Sequence, residues 1–142
     1  MNAIIDTNII IDAITAREPF REAAQNIIRS ASKREFRGAI TASTITDIYY
    51  IANKHLESRE KTINEIKKIF LLLDVITVTK ADCLKAFETK IKDYEDSLLY
   101  ICALKWDADF IVTRNVSDFK NSAIPALLPE DFLAKVGKEE WA

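Results

Sequence analysis

Apolar residues recur along this chain in two rhythms. There are short runs of branched side chains, and longer stretches where apolar positions return every three or four residues. Ala3-Ile4-Ile5 is the first run and predicts a short buried strand. Thr7 or Asn8 can cap a helix beginning near Ile9. Pro19 opens a second helix, where its missing N–H costs nothing, and the stripe Ala23, Ala24, Ile27, Ile28, Ala31 carries that helix to about Arg34. Gly38-Ala39-Ile40-Thr41 predicts a second strand. Ser43 or Thr44 then caps a helix bearing Ile45, Ile48, Tyr49, Ala52 and Leu56, and a further helix spans about Ser58 to Leu73. Val75-Ile76-Thr77-Val78 reads as the third strand and Lys80 to Lys90 as a helix with Ala81, Leu84 and Phe87 inward. The helix from about Tyr94 to Trp106 is nearly apolar all round past Ser97, which predicts burial. Phe110-Ile111-Val112-Thr113 is the fourth strand, Pro125-Ala126-Leu127-Leu128 a short edge strand, and Pro129 opens a last short helix through Phe132 and Leu133. Short apolar strands alternating with helices define an α/β fold class with a mostly parallel sheet of four to five strands.

Composition narrows the chemistry. A chain of 142 residues, 49% hydrophobic and 30% charged, suits a single domain over 1–142 with a core able to sustain it, and no repeat or Pro/Gly-rich linker marks a boundary. Its two glycines, Gly38 and Gly137, cannot supply a P-loop or a G-x-G-x-x-G turn. A single histidine, His55, excludes a H-E-x-x-H zinc helix and is assigned no role. Cys83 and Cys102 lie among apolar neighbours, as expected for reduced core cysteines of a cytoplasmic protein. The net charge of −2 rules out an overall basic surface, so any nucleic-acid contact needs a local basic patch. No signal-peptide pattern is present, and no apolar stretch approaches the roughly 18 residues that span a bilayer; the expectation is a soluble cytoplasmic protein with no membrane partner.

In open α/β sheets, ligands bind beyond the carboxyl ends of the strands. Asp6 follows the first strand, Asp47 lies in the first turn of the helix after the second, Asp96 in the first turn of the helix before the fourth, and Asp118 in the loop after the fourth. Asp96 shares a helix face with Leu99, Tyr100 and Ala103, where a lone carboxylate is costly unless paired or metal-bound; Asp93 and Glu95 are expected to be exposed. Several carboxylates brought together repel one another, and an oxygen-only donor set selects Mg²⁺ or Mn²⁺ over zinc. Such an ion suits phosphodiester hydrolysis. Each acid also has a plainer reading: a capping turn for Asp6, helix-dipole partners for Asp47 and Asp96, a loop residue for Asp118.

Asp6-Thr7-Asn8 after an N-terminal strand, Asp93-Tyr94-Glu95-Asp96-Ser97-Leu98, and Phe110-Ile111-Val112-Thr113-Arg114-Asn115-Val116-Ser117-Asp118-Phe119 together resemble the PIN-domain nucleases, in order and spacing and over nearly the whole chain. In size the chain resembles the VapC-type toxins of toxin–antitoxin pairs. The resemblance implies a three-layer α/β/α sandwich, Mg²⁺-dependent endoribonuclease activity, a cognate antitoxin and a homodimer. By matched position it implies that Asp6, Asp96 and Asp118 are acidic metal and catalytic residues, with Asp47 standing where the family usually has Glu. The resemblance further implies that Asn8, Thr113 and Asn115 form the polar surround of these carboxylates. Arg17, Arg21 and Arg114 are the candidate RNA contacts, with Lys120 beside the same loop; Tyr49, Tyr50 and Tyr100 are expected to serve packing more than base stacking. Two alternatives stay open: a PIN-like RNA- or protein-binding module without catalysis, and an aspartyl-phosphate protein on a similar sheet.

Overall fold

Ile4 and Ile5 are both buried, but on opposite faces of the same strand, and this places helices on both sides of the sheet. The computed structural model describes residues 1–140. Its elements are β1 (Asn2–Ile5), α1 (Thr7–Thr15), α2 (Arg21–Ser32), β2 (Arg37–Thr41), α3 (Ile45–Leu56), α4 (Arg59–Leu72), β3 (Asp74–Ile76), α5 (Lys80–Ala86), α6 (Tyr94–Lys105), β4 (Phe110–Val112), β5 (Ala126–Leu127) and α7 (Pro129–Glu140). All strand pairs are parallel, in the order β3-β2-β1-β4-β5. The chain winds outward from β1 to β3 and then returns across β1 to β4, so the order reverses between β1 and β4. Their carboxyl ends therefore flank the crevice where such sheets bind ligands.

One core layer joins Ala3, Ile5, Ile40 and Val112 to Ile9 of α1, Ile27 of α2, Ile69 of α4 and Phe132 of α7. The other joins Ile4, Ala39 and Ile111 to Leu99, Cys102 and Ala103 of α6. The result is the three-layer α/β/α arrangement. Gly38 in β2 is needed for close approach: a Cβ there would stand 2.7 Å from Leu73 Cδ2.

Several boundaries differ from the sequence reading. Asp6, not Thr7 or Asn8, holds the cap position of α1. Pro19 precedes α2, which begins only at Arg21 and ends at Ser32. β3 begins one residue earlier and is shorter. α5 starts with a capping box between Thr79 and Asp82 but ends at Ala86, well short of Lys90, and it buries Asp82 and Ala86 while Leu84 and Phe87, expected inward, are exposed. On α6 burial is one-sided: Ser97, Leu99, Cys102 and Ala103 are buried while Leu104 is 43% exposed, so its apolar circumference overstated its burial. α7 extends past Leu133 to Glu140. Cys102 is buried, Cys83 is half-buried, and both are free thiols. No described helix is long and apolar enough to cross a membrane.

Candidate acidic site at the carboxyl end of the sheet

Asp6 leaves β1 with its N–H donating to the carbonyl of Val112 on β4 at 2.9 Å. Its carboxylate makes no capping bond to α1; instead Oδ2 accepts the Thr113 hydroxyl at 2.8 Å. Asp6 is 8% exposed and Thr113 fully buried, so the ends of β1 and β4 are locked together by a buried side-chain bond. Thr113 Oγ1 also accepts the Asn115 N–H, at 3.0 Å, which fixes the turn leading to Asp118. Asp118 lies in a single 3₁₀ turn, Val116–Phe119, whose Phe119 is buried beneath it. Across the crevice, Asp93 caps α6 by accepting the Asp96 N–H at 3.0 Å, and so sets the first turn that carries Glu95 and Asp96.

These segments enclose a cavity of about 620 Å³. Asp6, Asp47, Asp93, Glu95, Asp96 and Asp118 line it, together with Asn8, Asn115 and Lys90, Lys92 and Lys120. The structure thus brings the four carboxylates singled out from sequence to one shared space. Two more acids join them: Asp93 and Glu95 are exposed, as expected, yet they face the cavity.

Crowding shows in the protonation behaviour. The Asp96 carboxyl is pushed up to about 7 by burial, reinforced by the charges of Asp6, Asp93, Asp118 and Glu95. Glu95, though exposed, is also raised, by partial desolvation among the neighbouring side chains and then by the charges of Asp47, Asp6 and Asp93. Asp6 is raised by burial, against the opposing pull of the Thr113 hydrogen bond, the nearby backbone N–H groups of Thr7 and Asn8 at the start of α1, and the Arg114 charge. Among the described residues, no three acid, His or Cys side chains stand close enough to grip an ion as they are. The donor set still fits a hard divalent cation: it is all oxygen, its members repel one another, and a cation relieves that repulsion.

The arginines lie elsewhere. Arg114 Nε stands 2.9 Å from Oδ2 of the fully buried Asp12, and its guanidinium lies 4.0 Å over the Phe20 ring. It faces α1 and the chain leading into α2 and does not line the cavity, and neither do the exposed Arg17 and Arg21. The cations that line it are the lysines. The sequence pattern does not mark Lys90 and Lys92 as site residues; its one local signal is that they bracket apolar Ile91 immediately before Asp93. Asp12 was missed as well; its signal was a charge ending the apolar run Ile9-Ile10-Ile11. Of the tyrosines, Tyr50 is 70% exposed, contrary to the packing role expected of it, because the apolar stripe of α3 faces inward through Ile48 and Ala52 instead.

A family model described as PIN domain matches residues 2–117. The Ribonuclease VapC1 of Aquifex aeolicus (strain VF5) is 29% identical over 133 residues, which cover 90% of this chain and 90% of that protein. Among solved structures, VapBC2 from Rickettsia felis bound to a promoter DNA fragment aligns with TM-score 0.67 at 19% identity, over 90% of this chain and 98% of that one. A toxin–antitoxin complex from Klebsiella pneumoniae aligns with TM-score 0.65 at 21% identity, over 89% and 97%. DNA-bound VapBC from Salmonella typhimurium gives 0.66 at 19%, over 91% and 98%. At these identities the structural matches speak to the fold.

Proposed function

The chain belongs to the PIN domain family, and from that premise we propose that it is an endoribonuclease dependent on Mg²⁺ or Mn²⁺, the toxin of a toxin–antitoxin pair that acts in the cytoplasm. The observation that carries this reading is the single cavity into which four chain segments deliver Asp6, Asp47, Asp96 and Asp118, with Glu95 and Asp93 beside them. Asp6, Asp96 and Asp118 would hold the ion, and Asp47 and Glu95 would add charge from the flanking helices. Thr113 orients Asp6 through its hydrogen bond. Asn8 and Asn115 offer neutral polar groups to waters or to substrate oxygens. Bound among these acids, the ion supplies Lewis-acid chemistry, polarising water and offsetting charge on a phosphoryl oxygen. The relatives named VapBC and toxin–antitoxin complex support a cognate antitoxin as partner, and a homodimer is the proposed assembly.

The test is cleavage of single-stranded RNA by protein purified free of any antitoxin, with Mg²⁺, with Mn²⁺ and with a chelator. Cleavage that requires the metal and is lost in folded Asp6→Asn supports the reading. No cleavage with either ion, or full activity in Asp6→Asn, overturns it; RNA binding without cleavage points to the binding-module alternative.

A further inference from the structure

Six carboxylates on one cavity repel a phosphate backbone as well as one another, so a polyanionic substrate needs positive charge at the mouth. Three cations are there: Lys90, Lys92 and Lys120. All three are exposed, and among the described residues none forms an ion pair, although carboxylates line the same space.

The backbone beneath Lys90 and Lys92 is tightly held, although it is irregular. Thr89 Oγ1 donates to Ser97 Oγ at 2.8 Å, Ser97 Oγ donates to the Ile91 carbonyl at 2.9 Å, and the Ile91 N–H donates back to Thr89 Oγ1 at 3.3 Å. Ile91 between the two lysines is buried in the core layer beneath α6. Asn121, next to Lys120, donates from Nδ2 to the Lys90 carbonyl at 3.3 Å and ties the two lysine-bearing segments together. The three ammonium groups thus spring from one cross-linked rim, and long stems let each reach outward.

We infer that Lys90, Lys92 and Lys120 form a phosphate-binding rim that lays the backbone of single-stranded RNA across the mouth of the acidic cavity. The inference rests on the nuclease reading above and gives it a substrate track. Phosphate contacts position a strand without reading its sequence, so the rim supplies affinity and register and leaves base preference to other residues.

The test measures binding of a fluorescent oligouridylate RNA to Asp6→Asn, and in parallel to Asp118→Asn, over a range of salt, with melting curves confirming the folds. Adding Lys90→Gln and Lys92→Gln should weaken binding by about tenfold or more at 0.1 M salt, and make the logarithmic salt slope shallower by about 0.7 for each phosphate no longer neutralised. Lys61→Gln with Lys67→Gln, on α4 and away from the cavity, should change neither. In the otherwise native protein, the rim substitutions should leave Mg²⁺ affinity, read as a thermal shift, unchanged or tighter, because they remove positive charge beside the acids. An unchanged affinity and salt slope would overturn the rim while leaving the nuclease reading in place. Weakened Mg²⁺ affinity alongside weakened RNA binding would overturn it in favour of a structural role. No RNA binding by either parent variant would overturn both the rim and the RNA reading.

Discussion

The hydroxyl of Thr113 donates to Oδ2 of Asp6 across 2.8 Å, joining the carboxyl ends of β1 and β4 at the point where the strand order reverses. Both partners are buried, so this bond sets where the first carboxylate of the site points.

Thr113→Val keeps the side-chain shape and removes the donor. It should raise the Mg²⁺ midpoint for RNA cleavage by about 10–100-fold, the usual cost of losing a group that orients a metal ligand, and lower stability by about 1 kcal/mol. Thr113→Ser should recover most of both. A magnesium titration of cleavage beside a melting curve checks this; an unchanged midpoint in Thr113→Val would remove Thr113 from any orienting role.

Asp96 makes the stability of the metal-free protein depend on pH. Its carboxyl, pushed up to about 7, keeps its proton in the fold where the unfolded chain, near 3.9, has lost it. The native state therefore binds more protons between about pH 4 and 7, and stability falls as pH rises through that window. Asp96→Asn removes this component. In chelator, the variant and the native protein should melt alike near pH 4, and at pH 8 the variant should be more stable by about 1 kcal/mol, a figure reduced for solvent screening of a half-exposed cluster. Saturating Mg²⁺ should reverse the order at pH 8, since only the native protein keeps the full ligand set. Scanning calorimetry at both pH values tests the crossing.

Asp47 faces the cavity from the exposed first turn of α3, at the position where the sequence resemblance implies a Glu, one methylene longer. Asp47→Glu should preserve or raise activity, because the longer arm reaches further toward the acids of α6. Asp47→Ala should raise the Mg²⁺ requirement by about tenfold. A purely helical role predicts instead a loss of about 0.3–1 kcal/mol in stability with an unchanged Mg²⁺ midpoint. Magnesium titrations of RNA cleavage and melting curves on both variants separate the two.

The Asp12–Arg114 pair is buried but poorly satisfied: despite the 2.9 Å approach, the contact is too oblique for a hydrogen bond, and Asp12 Oδ1 has no partner either. Arg114→Met should cost about 3–5 kcal/mol by stranding the buried carboxylate. Asp12→Leu combined with Arg114→Met should return most of that loss, because an apolar pair fills the space without desolvated charge. Denaturant unfolding of the single and double variants measures the coupling.

Strands, helices and the order of the carboxylates were legible in the sequence because they follow from local periodicity and from the rule that parallel strands present ligands at their carboxyl ends. Asp6 and Asp118 could be placed next to strands β1 and β4 from the residues before them, and Asp96 on α6 from the apolar face it shares with Leu99 and Ala103. Direction in space was not legible. Arg114, Asn115 and Thr113 are neighbours in the chain, yet Arg114 turns to Asp12, Asn115 lines the cavity, and Thr113 reaches Asp6, a hundred and seven residues away. Likewise nothing local singles out Lys90 and Lys92, because only burial of Ile91 and the bonds among Thr89, Ser97 and Asn121 bring them to the rim of the acids. Side-chain periodicity is local and can be read along the chain; which charges meet is settled by packing between distant segments, where desolvation and pairing decide the outcome.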